Sequence, residues 1–316
     1  APNTISPYLQ AALQHPSLSG TVSIYNPSFS PSPSPQTSPS LAHNKPNTLL
    51  LYPGSFNPPH VGHLATIQYL YLHRQTLNLT TLFLFSDPSS TILSKRKAHN
   101  SIILPLSLRN EIFYNTPELT PLIQAGFLQI LVGTMDSHIQ FLRYLTDLMV
   151  KDGWDVKLVG FLGGDKLSRD SKPDEKPGEL GIWGPVDEFL ILNARRPVDF
   201  YTPSTPSTPS NPLAPENLPG CTKWERGRGT GDNFWGVEAE RGAEREAERE
   251  VGVEWVCRAL SVEGEPIIRF QANGESMSDG VSSTAIRKIM CEAPNEILHE
   301  ELAPHVLGVD MVVEWL

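Results

Sequence analysis

Residues 49–63, Leu-Leu-Leu-Tyr-Pro-Gly-Ser-Phe-Asn-Pro-Pro-His-Val-Gly-His, constrain the chain more than any other stretch. An apolar run ends in a turn containing Gly54, and His60 and His63 follow with Gly62 between them. Leu64, Ile67, Leu70 and Tyr71 then repeat at helical spacing. The pattern predicts a strand, a tight turn and a helix, with both histidines in the first helical turn. A helix start carries partial positive charge and unpaired N–H donors, so this one is expected to hold an anion, and the anion expected is a polyphosphate. At that spacing the two imidazoles share a side of the helix, and Gly62 is expected to leave the surface between them bare. No third or fourth ligand is spaced to complete a zinc site, so no metal-ligating residue is assigned.

Strand and helix patterns alternate from there. Strands are expected at 48–52, 81–86, 127–133, 155–161 and 188–193, and helices at 58–75, 106–114 and 137–150. Two further strands, 254–260 and 266–271, precede a polar turn into a helix at 281–290. Short helices around 295–300 and 305–315 end the chain. This alternation predicts an α/β fold, a Rossmann-like parallel sheet with helices on both faces. In such sheets ligands gather at the carboxyl ends of strands, where the strand order reverses.

Composition marks out what lies beyond this core. The 29 prolines in 316 residues are concentrated in two tracts. Residues 1–47 read as a short N-terminal helix near Pro7–Gln14 and a Ser/Pro-rich linker. Residues 201–250 read as a low-complexity charged insertion, with Arg241, Arg245 and Arg249 in a stripe flanked by glutamates. Residues 48–200 and 251–316 together form a single expected domain. The net charge of −10 argues against duplex nucleic acid as a partner. Three scattered cysteines make neither a zinc pattern nor a disulfide framework, which suits a reducing compartment. No basic leader and no run of 18 apolar residues is present, so a cytoplasmic or nuclear protein without a membrane span is expected.

A second motif, Val281-Ser282-Ser283-Thr284-Ala285-Ile286-Arg287, opens the last major helix. Hydroxyl residues there cap the helix. They can also hold phosphate oxygens, and Arg287, one turn on, can grip a phosphate with two parallel bonds.

Together the two motifs resemble the paired signatures of the nucleotidyltransferase superfamily, and more narrowly those of the nicotinamide/nicotinate mononucleotide adenylyltransferases. Leu104-Pro-Leu-Ser-Leu-Arg109 before a helix, Leu162-Gly163-Gly164-Asp165 at a strand end, Trp183 with Arg195-Arg196-Pro197, and the closing Leu302-Ala-Pro-His-Val are similar to further family elements. The low-complexity tracts suggest a fungal member. The resemblance implies a sheet of nucleotidyltransferase type and transfer of an adenylyl group from ATP to the 5′-phosphate of nicotinamide or nicotinate mononucleotide. It implies catalysis by His60, His63 and Arg287, and ATP binding by Gly54, Ser55, Phe56, Asn57, Gly62, Gly164, Asp165, Ser282, Ser283 and Thr284. Lys95, Trp183 and Arg195 would meet the acceptor, with Lys95 joined by Arg96 and Lys97 in a basic loop. Mg2+ would be held mainly through the ATP phosphates. Two alternatives stay open: another nucleotidyltransferase, taking phosphopantetheine or using CTP with a choline or ethanolamine phosphate, and a non-catalytic nucleotide-binding module.

Overall fold

The structure, a computed structural model, describes residues 2–25, 38–94, 102–164, 167–170, 186–193, 198–202, 214–227, 253–260, 264–272 and 282–316. Its centre is β2 (Asn47–Gly54), whose Leu-Leu-Leu run is buried on both faces, as a central parallel strand requires. Side chains alternate across it. Leu50 and Tyr52 join the core on one face, and Leu49 and Leu51 join the core on the other. The chain continues through α2 (Val61–Leu72), β3 (Leu79–Ser86), α3 (Ser89–Ser94), α4 (Leu106–Asn115), α5 (Thr120–Gln124), β4 (Leu128–Gly133), α6 (Met135–Lys151), β5 (Val156–Leu162) and β6 (Glu188–Leu192). After β7 (Glu225–Arg226), β8 (Val253–Arg258) and β9 (Ile267–Ala272) come the closing helices α7 (Ser283–Glu292), α8 (Asn295–Leu302) and α9 (Val309–Trp315). Two N-terminal elements precede them all, α1 (Ser6–Leu13) and the short strand β1 (Val22–Ile24).

Among the described residues, nine strands form one mixed sheet in the order β1-β4-β3-β2-β5-β6-β9-β8-β7. Its six central strands, β4-β3-β2-β5-β6-β9, are mutually parallel. Counted along the chain those six read 3-2-1-4-5-6, the doubly wound order of dinucleotide-binding sheets. The order reverses between β2 and β5. α2, α4, α7, α8 and α9 cover one face through residues such as Ile67, Phe113, Ile286, Leu298 and Val312. α1 and α6 cover the other face under β2, β3 and β5.

The two expected low-complexity tracts are partly built into this sheet. At the N-terminus, α1 docks on α6: Tyr8 donates from Oη to Asp152 (2.8 Å) and accepts from Trp154 Nε1 (2.8 Å). β1 then pairs antiparallel with β4. In the expected insertion, Leu218 and Trp224 are buried in a third core with Phe200, Phe270 and Trp255, and β7 pairs antiparallel with β8. Residues 214–227 therefore close one edge of the sheet, because isolated apolar residues in a polar tract suffice to cover an exposed strand face. The Glu/Arg run at 238–250 lies outside the described residues.

At the amino end of β6, Glu188 is fully buried between Arg269 (2.7 Å) and Lys157 (2.7 Å), with Glu254 3.4 Å from Arg269. The charges balance, and they lie in β5, β6, β8 and β9, so a register slip in any of those strands would strand a buried ion.

Candidate functional site

The turn after β2 lies at the switch point of the sheet, and the sequence explains its shape. Phe56 adopts a left-handed backbone conformation (φ 41°), which turns its ring back into the core. There it meets Tyr52 (5.3 Å between centroids), His63 (4.9 Å) and Phe113 (5.0 Å) edge to face. A Cβ on Gly54 would lie 2.8 Å from the Phe56 ring, so glycine is needed there for the turn's own side chain. Of the expected ATP contacts, Phe56 thus presents only its backbone. Asn57 is equally committed: buried, it donates from Nδ2 to Ile102 O (3.0 Å) and accepts at Oδ1 from Leu104 N (2.9 Å).

Three carbonyls of the turn face protein donors. Gly54 O accepts from Asp87 N (2.8 Å), Ser55 O from Arg109 Nη1, and Asn57 O from Arg287 Nη1 (2.7 Å). In a trans peptide the C=O and the following N–H point oppositely. The N–H groups of Ser55 and Phe56 are therefore directed away from Asp87 and Arg109. Ser55 Oγ donates to the Asp87 carboxylate (3.0 Å).

His60 caps α2, and the two histidines form a reciprocal box. His60 Nδ1 accepts from Gly62 N (3.1 Å) while His63 Nδ1 accepts from His60 N (3.2 Å). Both partners are backbone N–H groups, which can only donate, so both Nδ1 atoms are unprotonated and each neutral ring carries its proton on Nε2. The rings lie against each other at a tilt of 31°, with centroids 3.7 Å apart. A Cβ on Gly62 would meet His60 Cε1 at 3.0 Å, so this glycine makes room for the capping imidazole rather than leaving a bare surface.

The expected free backbone donors at the start of α2 are engaged. Val61 N donates to His305 O (3.0 Å), His63 N to His60 O (2.9 Å) and Leu64 N to His60 O (3.2 Å). The C-terminal stretch 305–307 pairs here, with Leu307 N donating to Pro59 O (3.2 Å). For that reason the last helix begins at Val309 and not at the expected 305. What α2 offers a ligand is imidazole, not backbone.

The second motif sits against the first. Ser282 caps α7, its Oγ accepting from Ala285 N (3.1 Å), and the N–H groups of Ser283 and Thr284 lie beyond the reach of any helical carbonyl. Arg287, half-buried, donates from Nη2 to Thr284 Oγ1 (2.9 Å) as well as to Asn57 O. The bond to Asn57 O brings the motifs together across 230 positions of sequence. Gly164 is buried just past the end of β5, the other strand of the switch point. Lys95, Arg96, Lys97, Asp165, Trp183, Arg195 and Arg196 lie outside the described residues.

One residue that sequence reasoning left without a role anchors the whole turn. Arg109, fully buried on α4, donates to Leu104 O (3.1 Å), Ser55 O and Asp87 O (2.8 Å). Burial lowers its pKa to about 10, opposed by the nearby Asp87 carboxylate. The signal for it was its helical spacing, one turn before Phe113 and on the same inward face as Ile112.

No protein-family model matches the chain, and no curated protein matches it in sequence. Among solved structures, Plasmodium falciparum nicotinic acid mononucleotide adenylyltransferase complexed with NaAD superposes with a TM-score of 0.40 and 11% identity. The superposition covers 85% of this chain and 96% of that one. That likeness is too remote to carry an activity across. Among the described residues, no helix is long and apolar enough to cross a membrane, and no group of three His, Cys, Asp or Glu side chains could hold a metal ion.

Proposed function

We propose that the chain is a nucleotidyltransferase that joins ATP to nicotinamide or nicotinate mononucleotide, releasing pyrophosphate. The observation that carries this reading is the bond from Arg287 to the Asn57 carbonyl. It holds the Ser-Ser-Thr-Ala-Ile-Arg helix start against the turn that leads to His60-Val-Gly-His63, at the carboxyl end of β2, where the strand order reverses. A doubly wound sheet places nucleotides at that point.

The donors gathered there suit a polyphosphate. The acceptor's 5′-phosphate would attack the α-phosphorus of ATP in line, with no covalent intermediate on the protein. Catalysis then consists of positioning and of neutralising charge on the α-phosphoryl group and the leaving pyrophosphate. Imidazole Nε2–H groups of His60 and His63 would donate to the triphosphate, with help from the N–H groups of Ser55 and Phe56. Ser283, Thr284 and Arg287 would hold the β and γ phosphates. Imidazole, hydroxyl and guanidinium groups fit phosphate oxygens and leave a magnesium ion to be carried by the nucleotide, where it would neutralise charge. By the family resemblance, Asp165 would accept from the ribose hydroxyls, Trp183 would stack on the pyridine ring, and Lys95 and Arg195 would meet the acceptor phosphate.

Pyrophosphate release tests the reading, with ATP or CTP offered against nicotinamide mononucleotide, nicotinate mononucleotide, phosphopantetheine and phosphocholine. Release is expected only with ATP and a pyridine mononucleotide. Turnover with CTP would replace the reading by a cytidylyltransferase, and ATP-induced stabilisation without turnover by a binding module. His63→Ala is expected to slow release about a hundredfold, the scale of a lost transition-state donor. It also removes half of the capping box, at about 1 kcal/mol of stability.

A further inference from the structure

Two cysteines that the nucleotide reading does not use meet at the far edge of the sheet. Cys221 faces Ala259 across an antiparallel bridge. The register is held by backbone bonds from Thr222 N to Arg258 O (2.9 Å) and from Leu260 N to Gly220 O (2.8 Å). Arg258 N adds a bond to Thr222 Oγ1 (2.9 Å). Along β8 and its continuation, Trp255, Cys257 and Ala259 alternate inward and are buried. Cys257 is therefore the diagonal neighbour of Cys221 on one face of the sheet. Their two thiols are hydrogen-bonded to each other, and both are reduced.

The pair is asymmetric. Cys257 is fully buried, whereas Cys221 is half-buried at the rim of the same core. The bond from Cys257 pulls the Cys221 thiol below its ordinary pKa, although burial opposes this. The same bond, with burial, pushes the Cys257 thiol far up. The thiolate, which is the reactive form, thus belongs to the more accessible sulfur, with a protonated partner against it.

We propose that Cys221 and Cys257 are a reversible redox pair, closed by hydroperoxides, in which Cys221 is the attacking thiol and Cys257 the resolving one. The Cys221 thiolate attacks one peroxide oxygen, the O–O bond breaks, and Cys221 becomes a sulfenic acid as hydroxide leaves and takes up the proton that Cys221 shed. The Cys257 sulfur then attacks the sulfenic sulfur. The S–OH bond breaks, and the departing hydroxide takes the Cys257 proton as water. Two thiols lose two electrons and two protons, and one hydrogen peroxide becomes two waters. The cross-link fastens residues 214–227, which carry Leu218 and Trp224 into the third core, to β8. Because it closes a long loop, it restricts the unfolded chain and raises stability until a dithiol reopens it.

The test uses the full chain and equimolar hydrogen peroxide. The treated protein is alkylated in denaturant, digested and mapped by mass spectrometry, and a parallel sample is melted. The expected result is a cross-linked Cys221–Cys257 peptide, an alkylated Cys291, and a melting temperature raised by about 5 °C, reversed by dithiothreitol. In Cys257→Ser, Cys221 should stop at the sulfenic acid, trapped by dimedone, with no cross-link. Cys221→Ser, altered at the half-buried position, should leave Cys257 alkylatable and abolish the melting shift. Oxidation confined to Cys291, or a melting shift that persists in Cys221→Ser, would overturn the proposal.

Discussion

Arg109 and Arg287 grip the same turn from different environments. Arg109 is fully buried and spends its guanidinium on three main-chain carbonyls, one from the turn, one from the end of β3 and one from the approach to α4. Arg287 is half-buried and holds one carbonyl of the turn together with a hydroxyl on its own helix. Only the second stands where a solvated phosphate can approach. Both cations lie beside residues 55–57, so a cation near the turn is no mark of function by itself. Exposure and the nature of the partners separate a girder from a ligand-binding group.

Substituting the two arginines tests that distinction. Arg109→Leu leaves two buried carbonyls and one half-buried carbonyl without their donor, and a loss of about 3 kcal/mol is expected in urea unfolding. Arg287→Ala should cost about 1 kcal/mol at most by the same measurement, yet slow pyrophosphate release by about a hundredfold. Arg287→Lys keeps the charge but loses the planar fork, so it should restore little of the rate. If Arg109→Leu unfolds at nearly the same urea concentration as the parent, or Arg287→Ala turns over normally, the division between the two arginines fails.

The contrast also shows what could be read from the residues alone. Arg287 was found because it lies in a motif with a known chemical use, and Arg109 was passed over because its partners are main-chain atoms from three distant segments. The central strands announced themselves as apolar runs, and their alternation with helices pointed to the parallel sheet. Their spatial order did not follow from the pattern, since it depends on which faces meet in space. β1 and β7, three and two residues long, are too short for any periodicity and exist only by pairing with β4 and β8. Residues 214–227 were hidden by averaging: Leu218 and Trp224 sit among prolines, serines and charges, yet those two side chains decide where the segment goes. At the site, the motif located His60 and His63 correctly at the start of a helix. It did not reveal that the helix donors are already taken by His60 and by His305, because that needs the C-terminal stretch 305–307 folded against 59–61.

A buried histidine sharpens the comparison through pH. His138 lies in the first turn of α6 against Phe85, in a small pocket with Leu51, Leu142 and Leu158. Its ring nitrogens make no hydrogen bond of normal geometry, and the backbone of Val132 offsets its burial only in part. Burial lowers its pKa to about 4, whereas Arg109, with three bonds, stays protonated at neutral pH. A base with a depressed folded pKa binds its proton more readily when unfolded. The stability it supports is therefore complete above about pH 6.5 and lost as pH falls toward 4. The loss from this one group should be on the order of 3 kcal/mol, read from urea midpoints across that window. His138→Phe should flatten the slope there, and an unchanged slope would place the acid sensitivity elsewhere.

The smallest effect is expected at Ser282, where capping and phosphate binding can be told apart. Ser282→Ala removes the side-chain acceptor from Ala285 N, at a cost of about 1 kcal/mol. Fraying of the first turn of α7 would loosen Thr284 and, through it, Arg287, so pyrophosphate release should slow only severalfold. Ser282→Asp separates the two roles, because aspartate caps as well as serine but brings a negative charge. If α7 meets the β and γ phosphates, the aspartate variant should match the parent in stability and yet bind ATP about tenfold more weakly, by repulsion between like charges. If ATP affinity survives the aspartate, then α7 begins beside no anion, and Arg287 would be, like Arg109, a brace for the turn.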